Sequence, residues 1–248
     1  VTFPKDVAPI LYDSCVVCHR AGEMAPMALT TYAEVRPWAR SIKNRVVARE
    51  MPPWHIDKNI GIQEFKDDIS LSDEQIATIA TWVDAGAPMG DPADMPQMPQ
   101  FPNWSAWQIG EPDLVVRYPP YLVSAEGPDV FGSLYAQFGL EEDRYIKAIQ
   151  TRPVDGRSRQ VVHHALSYAV GQDYDDLTND GTQDQGVFLV EYASGKGAEQ
   201  YPEDSGKLLP ADKKARVSYP LHSIGEEVQA GIELGIVFHP KGTEPENV

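Results

Sequence analysis

Cys15-Val16-Val17-Cys18-His19 is the stretch that decides how the first part of the chain folds. Two thiols separated by two residues, with a histidine directly after the second, form the attachment pattern of a c-type haem. One turn of backbone lets both cysteines reach the same porphyrin edge, where each thiol adds to one vinyl group. His19 then lies beneath the iron as its proximal ligand. The sequence therefore predicts one covalent haem c held by Cys15, Cys18 and His19.

Two other uses of this motif were weighed against haem attachment. A structural zinc site needs further cysteine or histidine ligands nearby, and the chain has no cysteine besides Cys15 and Cys18. A thioredoxin-like dithiol would lie between a strand and a helix and would not need the histidine. Both alternatives explain the motif less completely than haem attachment does.

Helical patterns surround the motif. A short helix containing Val7 should lead into it, and a second stretch from about 31 to 49 begins with a capping box of Thr31 and Glu34. Pro37 should interrupt that stretch, and an apolar stripe should follow it, formed by Trp38, Ile42 and Val46. The last helix has Ser72 and Gln75 at capping-box spacing, Gly86 at its end, and a buried face of Ile76, Ile79, Ala80 and Val83. These patterns predict a small all-α haem domain over residues 1–90.

The sixth ligand of the iron has several candidates, namely Met24, Met27, Met51, Met89 and His55. Met51 opens the stiff segment Met51-Pro52-Pro53-Trp54, ahead of the last helix. Here the sequence resembles the class I cytochromes c, in which a Met-Pro-Pro loop supplies the axial methionine. The resemblance implies that Met51 is the axial ligand, with His55 as its rival because a long loop follows Trp54. Met24 and Met27 are expected to pack in the core around the haem. Trp38, Trp54 and Trp82 are likewise expected to be walls of the haem pocket rather than electron relays.

A proline-rich stretch at 91–104 predicts a semi-rigid linker. From residue 105 to 248, short β-rich runs alternate with turn-forming clusters, which predicts an all-β jelly roll or sandwich. The runs are Leu114–Val116, Tyr145–Ile149, Val161–Val170, Val187–Glu191, Ala215–Leu221 and Ile232–Phe238. The acidic loop 172–186 fits a solvated loop better than a calcium site, because its spacing matches no EF-hand.

Adjacent histidines stand out in this second part. His163 and His164 lie in a run predicted to be a buried strand, where unpartnered imidazoles would be costly. Neighbours on a regular strand face opposite sides, so a metal shared by the two would need a strand end or a bulge. His239, beside Pro240, is expected to be a surface or loop residue.

Three segments of the second part resemble the copper type II, ascorbate-dependent monooxygenases: Trp107–Asp113, Val161–His164 and Leu221–Gly225. In that family a His-His pair and a later histidine bind one copper ion in the first of two jelly-roll lobes. The resemblance implies copper at His163, His164 and His222, a ligand set suited to copper or zinc. Ser223 stands where the family usually has tyrosine, and the family's disulfide cysteines are absent.

Charge and hydropathy limit the partners. The net charge of -16 argues against nucleic acid and anionic membranes. No apolar run approaches the roughly 20 residues that span a bilayer, so no transmembrane segment is expected. Because c-type haem is attached outside the bacterial cytoplasm, we expect a periplasmic or extracellular protein whose signal peptide has been removed.

Two main functions fit these features. The first is an electron-transfer protein or redox subunit, whose haem passes electrons to a redox partner, a larger complex or a copper site in the β-lobe. The second is a copper-dependent monooxygenase with a built-in haem donor; alternatively, the β-lobe is a docking module without metal. After His222 the sequence has no His-x-His pair, and its last methionine is Met98. The second copper site of the resembling enzymes should therefore be absent or supplied elsewhere, and no catalytic residue is assigned.

Overall fold

The computed structural model describes residues 1–23, 25–54, 56–57, 59–62, 65, 68–101, 106–177, 186–193 and 196–248. It divides into two compact units, Val1–Phe101 and Pro102–Val248. The described helices of the first unit are followed by a second unit built mostly of strands. The predicted order, a small helical part and then a β part, is confirmed at this level.

Short helices build the first unit. The α-helices are α1 (Ala8–Ser14), α2 (Tyr32–Val35), α3 (Ala39–Val47) and α4 (Asp73–Asp84). A π-helical turn, Phe3–Val7, leads into α1, and single 3-10 turns cover Arg36–Trp38 and Pro92–Asp94. The predicted interruption at Pro37 is confirmed, because that residue lies in the 3-10 turn between α2 and α3.

Local hydrogen bonds define the ends of these helices. Both predicted capping boxes are present, with Thr31 paired to Glu34 and Ser72 paired to Gln75. At the end of α4, the N–H of Gly86 donates to the Val83 carbonyl at 3.0 Å, and the N–H of Ala87 donates to the Trp82 carbonyl at 2.9 Å. This is a Schellman motif, and Gly86 has the positive φ of 86° that the motif requires.

The core of the first unit lies between α1, α3 and α4. Fully buried side chains include Phe3, Leu11, Ile79 and Trp82. The predicted apolar stripe is only partly buried, since Ile42 and Val46 are buried while Trp38 is 44% exposed. Met95 and Phe101 also pack against this core, which adds part of the proline-rich stretch to the first unit.

Antiparallel strands make up the second unit. They are β1 (Leu114–Arg117), β2 (Tyr121–Val123), β3 (Val130–Gln137), β4 (Arg144–Pro153), β5 (His164–Val170), β6 (Val187–Ala193), β7 (Ala198–Gln200), β8 (Lys207–Leu209), β9 (Lys214–Leu221), β10 (Val228–Ala230) and β11 (Ile232–Phe238). A short helix, α5 (Gly156–Val161), precedes β5. The predicted strand Val161–Val170 is therefore wrong at its start, because Val161 ends a helix.

Two larger sheets share one hydrophobic core. One sheet has the order β1-β11-β4-β7, with β8 also paired to β4, and the other has the order β3-β9-β5-β6. β2 and β10 form a separate two-stranded ladder. Buried residues from both large sheets, such as Ile149, Ile236, Leu189 and Val217, belong to the same cluster. Apolar alternation on strands of both sheets thus produces one packed interior.

None of the helices that the described residues form has the length and apolar character needed to cross a membrane.

Candidate functional site

The cysteine motif begins where α1 ends. Within it, the N–H groups of Cys18 and His19 donate to the Cys15 carbonyl at 3.1 and 2.9 Å. These bonds form a single helical turn that contains Cys15, Cys18 and His19. Burial, followed by the nearby Cys18, raises the pKa of Cys15 to about 12, so this sulfur is a neutral thiol at neutral pH.

A main-chain carbonyl orients His19. The Nδ1 atom lies 3.1 Å from the carbonyl oxygen of Met27, and the His19 carbonyl accepts the N–H of Leu29 at 2.9 Å. Because a carbonyl only accepts, Nδ1 carries the hydrogen and Nε2 keeps its lone pair for a metal ion. Burial lowers the pKa of His19 against the opposing effect of that hydrogen bond, which favours the neutral imidazole.

Arg20 ties the turn to the rest of the first unit. Its guanidinium donates to the Val16 carbonyl at 3.0 Å and pairs with Glu23 at 2.6 Å. It also lies 3.9 Å from the ring centroid of Phe101. The arginine thereby donates to a main-chain carbonyl of the cysteine motif, and its guanidinium stacks on the Phe101 ring. Sequence reasoning missed this role, because Phe101 is distant in the chain.

Met51 lines a cavity of about 350 Å³ and is 43% exposed. The described residues around the cavity are Val46, Arg49, Met51, Pro52, Trp54, Ile56, Asp57, Asn59, Ser70, Leu71, Asp73 and Ile76. This lining contains Trp54, which was predicted as a pocket wall, but not His19. Axial ligation by Met51 therefore stays a prediction, because the structure does not bring Met51 and His19 to one cavity wall.

The other candidates for the sixth ligand occupy varied positions. Met27 packs against the core, as predicted, and Met89 is 42% exposed. Met24 and His55 lie outside the described residues.

Trp82 is fully buried, and its indole nitrogen donates to the Pro88 carbonyl at 2.9 Å.

The histidine pair of the second unit lies at an irregularity in the sheet. Val162 pairs with Leu221, and Leu166 pairs with Ser218. Three residues lie between Val162 and Leu166, but only two lie between Ser218 and Leu221, so the strand with the histidines carries one extra residue. An extra residue of this kind is a β-bulge. The Nδ1 atoms of His163 and His164 are 3.1 Å apart. The expectation that this pair lies in a buried strand is wrong, since His163 is exposed and His164 is the half-buried first residue of β5.

His222 lies just beyond the end of β9, beside this pair. Its N–H donates to the Val161 carbonyl at 2.9 Å, and the N–H of His163 donates to the Pro220 carbonyl at 3.3 Å. The His222 ring contacts a carboxylate, with Nδ1 2.7 Å from Oδ1 of Asp129. Asp129 could not be identified from the sequence, because only the pairing of β3 with β9 places it opposite His222.

The three histidines thus lie at one end of the sheet, but their side chains do not converge on one point as the ligands of a bound metal ion would. Among the described residues, no three or more His, Cys, Asp or Glu side chains are grouped to hold a metal ion. Burial and the neighbouring His163 lower the pKa of His164, while Glu191 acts in the opposite direction. The low pKa favours the neutral imidazole, the form that binds metals. Copper at His163, His164 and His222 remains a prediction.

His239 is a loop residue, as expected, but a buried one. It follows β11 in a loop, but only 6% of the residue is exposed, and its Nε2 atom lies 3.0 Å from the Ser205 carbonyl. The expectation of a surface or loop residue holds for the loop, and the side chain is buried because residues near 247 fold back over this loop: Ser205 bridges to Asn247, which accepts from the Gly206 N–H at 2.9 Å.

The acidic loop is partly anchored to the sheet. Asp176 accepts hydrogen bonds from Tyr135 at 3.0 Å and Tyr174 at 2.9 Å, and it pairs with Arg216 at 2.8 Å. Asp180 and Asp184 lie outside the described residues. Asp176 is therefore a structural contact rather than a freely solvated charge.

The chain was compared with known proteins. No protein-family model matches it, and no curated protein matches its sequence.

Proposed function

We propose that this protein is a c-type haem electron-transfer protein or the haem-bearing subunit of a redox complex. The observation that supports this most directly is the Cys15–His19 turn, in which the His19 Nδ1 hydrogen bond to Met27 leaves Nε2 as the ligand atom. When bound, the haem supplies one-electron chemistry. We also propose that the first unit is a class I cytochrome c domain with Met51 as the second axial ligand.

Each residue of the site has a distinct part in this proposal. Cys15 and Cys18 anchor the porphyrin as thioethers, and the Met27 carbonyl fixes the ring and tautomer of His19. Arg20 holds the carbonyls of the turn. An electron carrier needs such preorganisation, because its ligands should move little when the iron changes oxidation state. The partner is proposed to be a redox protein or a larger complex, in the periplasm or outside the cell.

The mass of the purified, denatured chain tests the haem directly. We expect it to exceed the mass of the polypeptide by one haem, and a denaturing gel to show haem-dependent peroxidase activity in the protein band. The double variant Cys15→Ala/Cys18→Ala should lose both signals, whereas Lys43→Ala, at an exposed ion pair with Asp84 in the same unit, should keep them. A wild-type chain with the unmodified mass, produced in a host that attaches haem c, contradicts the proposal.

For the second unit we propose a jelly-roll lobe of the copper type II class, with one copper ion at His163, His164 and His222. The bulge supports this proposal, because it removes the objection that adjacent strand residues face opposite sides. A site of three imidazoles suits copper, and the neighbouring Asp129 and Glu191 provide negative charge. In that case the haem exchanges electrons with the copper site or with a partner.

Metal analysis of the purified protein separates the remaining functions. One iron per chain without copper favours a docking role for the β unit. Iron together with one copper favours a redox role.

A further inference from the structure

Strand β3 lies at one edge of its sheet. In the order β3-β9-β5-β6 it is a terminal strand, and its eight residues, Val130–Gln137, pair with β9 alone. In an antiparallel ladder, alternate residues direct their N–H and C=O groups toward opposite sides of the strand. Within the part of the chain that the structure describes, the groups of β3 that point away from β9 have no main-chain partner. This edge can therefore accept a further strand.

The sequence of β3 lacks the features that usually protect an edge. Such edges commonly carry charged side chains, proline or a bulge, or are very short. β3 reads Val-Phe-Gly-Ser-Leu-Tyr-Ala-Gln, with no charge and no proline, and its register with β9 is unbroken. The opposite edge of the sheet, β6, carries Glu191 and has a register shift in its pairing with β5. An exposed edge of uncharged residues is a surface for association.

The side chains of β3 are arranged so that the strand fits a second copy of itself. Leu134 and Ala136 pack against the core of the second unit. Alternation along the strand then places Phe131, Ser133 and Tyr135 on the outer face, where Phe131 is 76% exposed. When two copies pair antiparallel with their Ser133 residues opposite each other, Phe131 of each copy lies opposite Tyr135 of the other. The pairing then contains two aromatic cross-strand pairs, a kind of contact that stabilises sheets.

Tyr135 is already held in place for such a contact. Its hydroxyl donates to Asp176 at 3.0 Å, and the Lys214 ammonium lies 4.8 Å from its ring centroid. The charge of Asp176 is balanced in turn by Arg216 at 2.8 Å. A side chain that is fixed before association loses little conformational entropy on binding. The net charge of -16 opposes contact between copies over most of the surface, so a stretch without charged side chains is where two copies can meet.

We infer that β3 forms the interface of a symmetric dimer, in which the β3 strands of two copies pair antiparallel about Ser133. The two four-stranded sheets then continue as one sheet across the dimer axis. This inference goes beyond the proposed function and depends on neither haem nor copper. About eight residues from each copy take part, fewer than the roughly 20–30 of a standard interface, so the dimer is weak and depends on protein concentration. Salt should strengthen it, because screening reduces the repulsion between two copies that each carry a charge of -16.

Sedimentation equilibrium of the full chain, measured at several protein concentrations and two salt concentrations, tests the dimer. We expect a reversible equilibrium between monomer and dimer for the wild type. Phe131→Glu should raise the dissociation constant by about tenfold or more, because symmetry removes two aromatic pairs and adds two charges at once. Phe188→Glu is the matched control. Phe188 is an exposed aromatic residue on the opposite edge strand, so its replacement should change the dissociation constant much less.

Ser133→Cys gives a second measurement that does not rely on losing a contact. Pairing about Ser133 brings the two introduced thiols opposite each other, within the separation that a disulfide needs. Mild oxidation should therefore produce a covalent dimer on a non-reducing gel, in larger amount than the wild type or Ser133→Cys/Phe131→Glu forms. The inference is overturned by a wild type that stays monomeric at every concentration, by a Phe131→Glu dimer as tight as that of the wild type, or by the absence of the covalent dimer.

Discussion

The Nδ1 atoms of His163 and His164 lie 3.1 Å apart, although the two residues are neighbours at the start of a strand. Their rings are 5.4 Å apart between centroids and inclined by 74°. On a regular strand, adjacent side chains point to opposite faces. The extra residue on the strand that pairs with β9 interrupts that alternation and accounts for the close approach of the two imidazoles.

Copper content should depend on this arrangement. We expect the wild-type chain to retain one copper after dialysis against a weak chelator, and His163→Ala and His222→Ala each to lose most of it, because each change removes one of three imidazoles. Glu142→Gln, at a surface carboxylate paired with Lys241, serves as the control for adventitious binding and should retain the metal. Copper content that is equal in all four proteins would remove the proposed site.

Met51 should determine the spectrum of the ferric haem. We expect Met51→Ala to keep the covalent haem but to lose the weak long-wavelength absorption that a sulfur ligand gives to ferric iron, and to lower the reduction potential. Met89→Ala is the matched control, since Met89 is exposed to a similar extent, 42% against 43%. Persistence of the sulfur band in Met51→Ala would move the axial ligand to another residue.

Glu34 should make the stability of the first unit depend on pH. The Thr30 hydroxyl donates to this carboxylate, as do the main-chain N–H groups of Thr30 and Thr31, and these bonds hold the pKa of Glu34 below its usual value. A carboxylate with a lowered pKa stabilises the fold fully above its unfolded pKa and loses that contribution as the pH falls through the folded one.

Urea unfolding at pH 7 and below pH 4 checks this dependence. Glu34→Gln should lower the unfolding free energy by up to about 1 kcal/mol at pH 7, as expected for a helix cap. The difference from the wild type should shrink in acid. Glu50→Gln, at an exposed ion pair, should change stability little at pH 7. If Glu34→Gln lowers the unfolding free energy by the same amount at both pH values, the ionised Glu34 carboxylate is not the source of the stabilisation.

Gly235 should tolerate no side chain. A Cβ atom there would lie 2.6 Å from the ring of Trp107, which is itself covered by the Arg152 guanidinium 3.8 Å from a ring centroid. We expect Gly235→Ala to destabilise the β unit by about 1–3 kcal/mol, the usual cost of overpacking. Gly156→Ala, where a Cβ atom would meet nothing within 4 Å, is the control and should be near neutral in thermal unfolding. Equal stability of the two variants would contradict the close packing of Trp107.

Catalysis by this chain alone is not expected. Supplied with copper, ascorbate, oxygen and a glycine-extended peptide, it should form no hydroxylated product above a copper-free control, because the sequence after His222 has no His-x-His pair for a second copper. Sustained product would show that the chain is an enzyme rather than an electron carrier.

Features that depend on residues three to five apart could be predicted from the sequence. The cysteine motif, the capping boxes of Thr31 and Ser72, and the Gly86 terminus are of this kind, and the capping boxes and the terminus are confirmed. Their hydrogen bonds close within one helical turn, so they form with little dependence on the rest of the chain. The change from helices to strands was predictable for a related reason, since periodicity is also a local property.

Contacts between distant residues were decided only by the tertiary structure. The bulge at His163 exists because Val162 and Leu166 pair with β9, and Asp129 meets His222 only because β3 pairs with the same strand. The burial of His239 likewise depends on the return of the last residues over its loop. Strand register and loop packing are set by the shared core and by pairings across tens of residues, and no short window of sequence contains both partners.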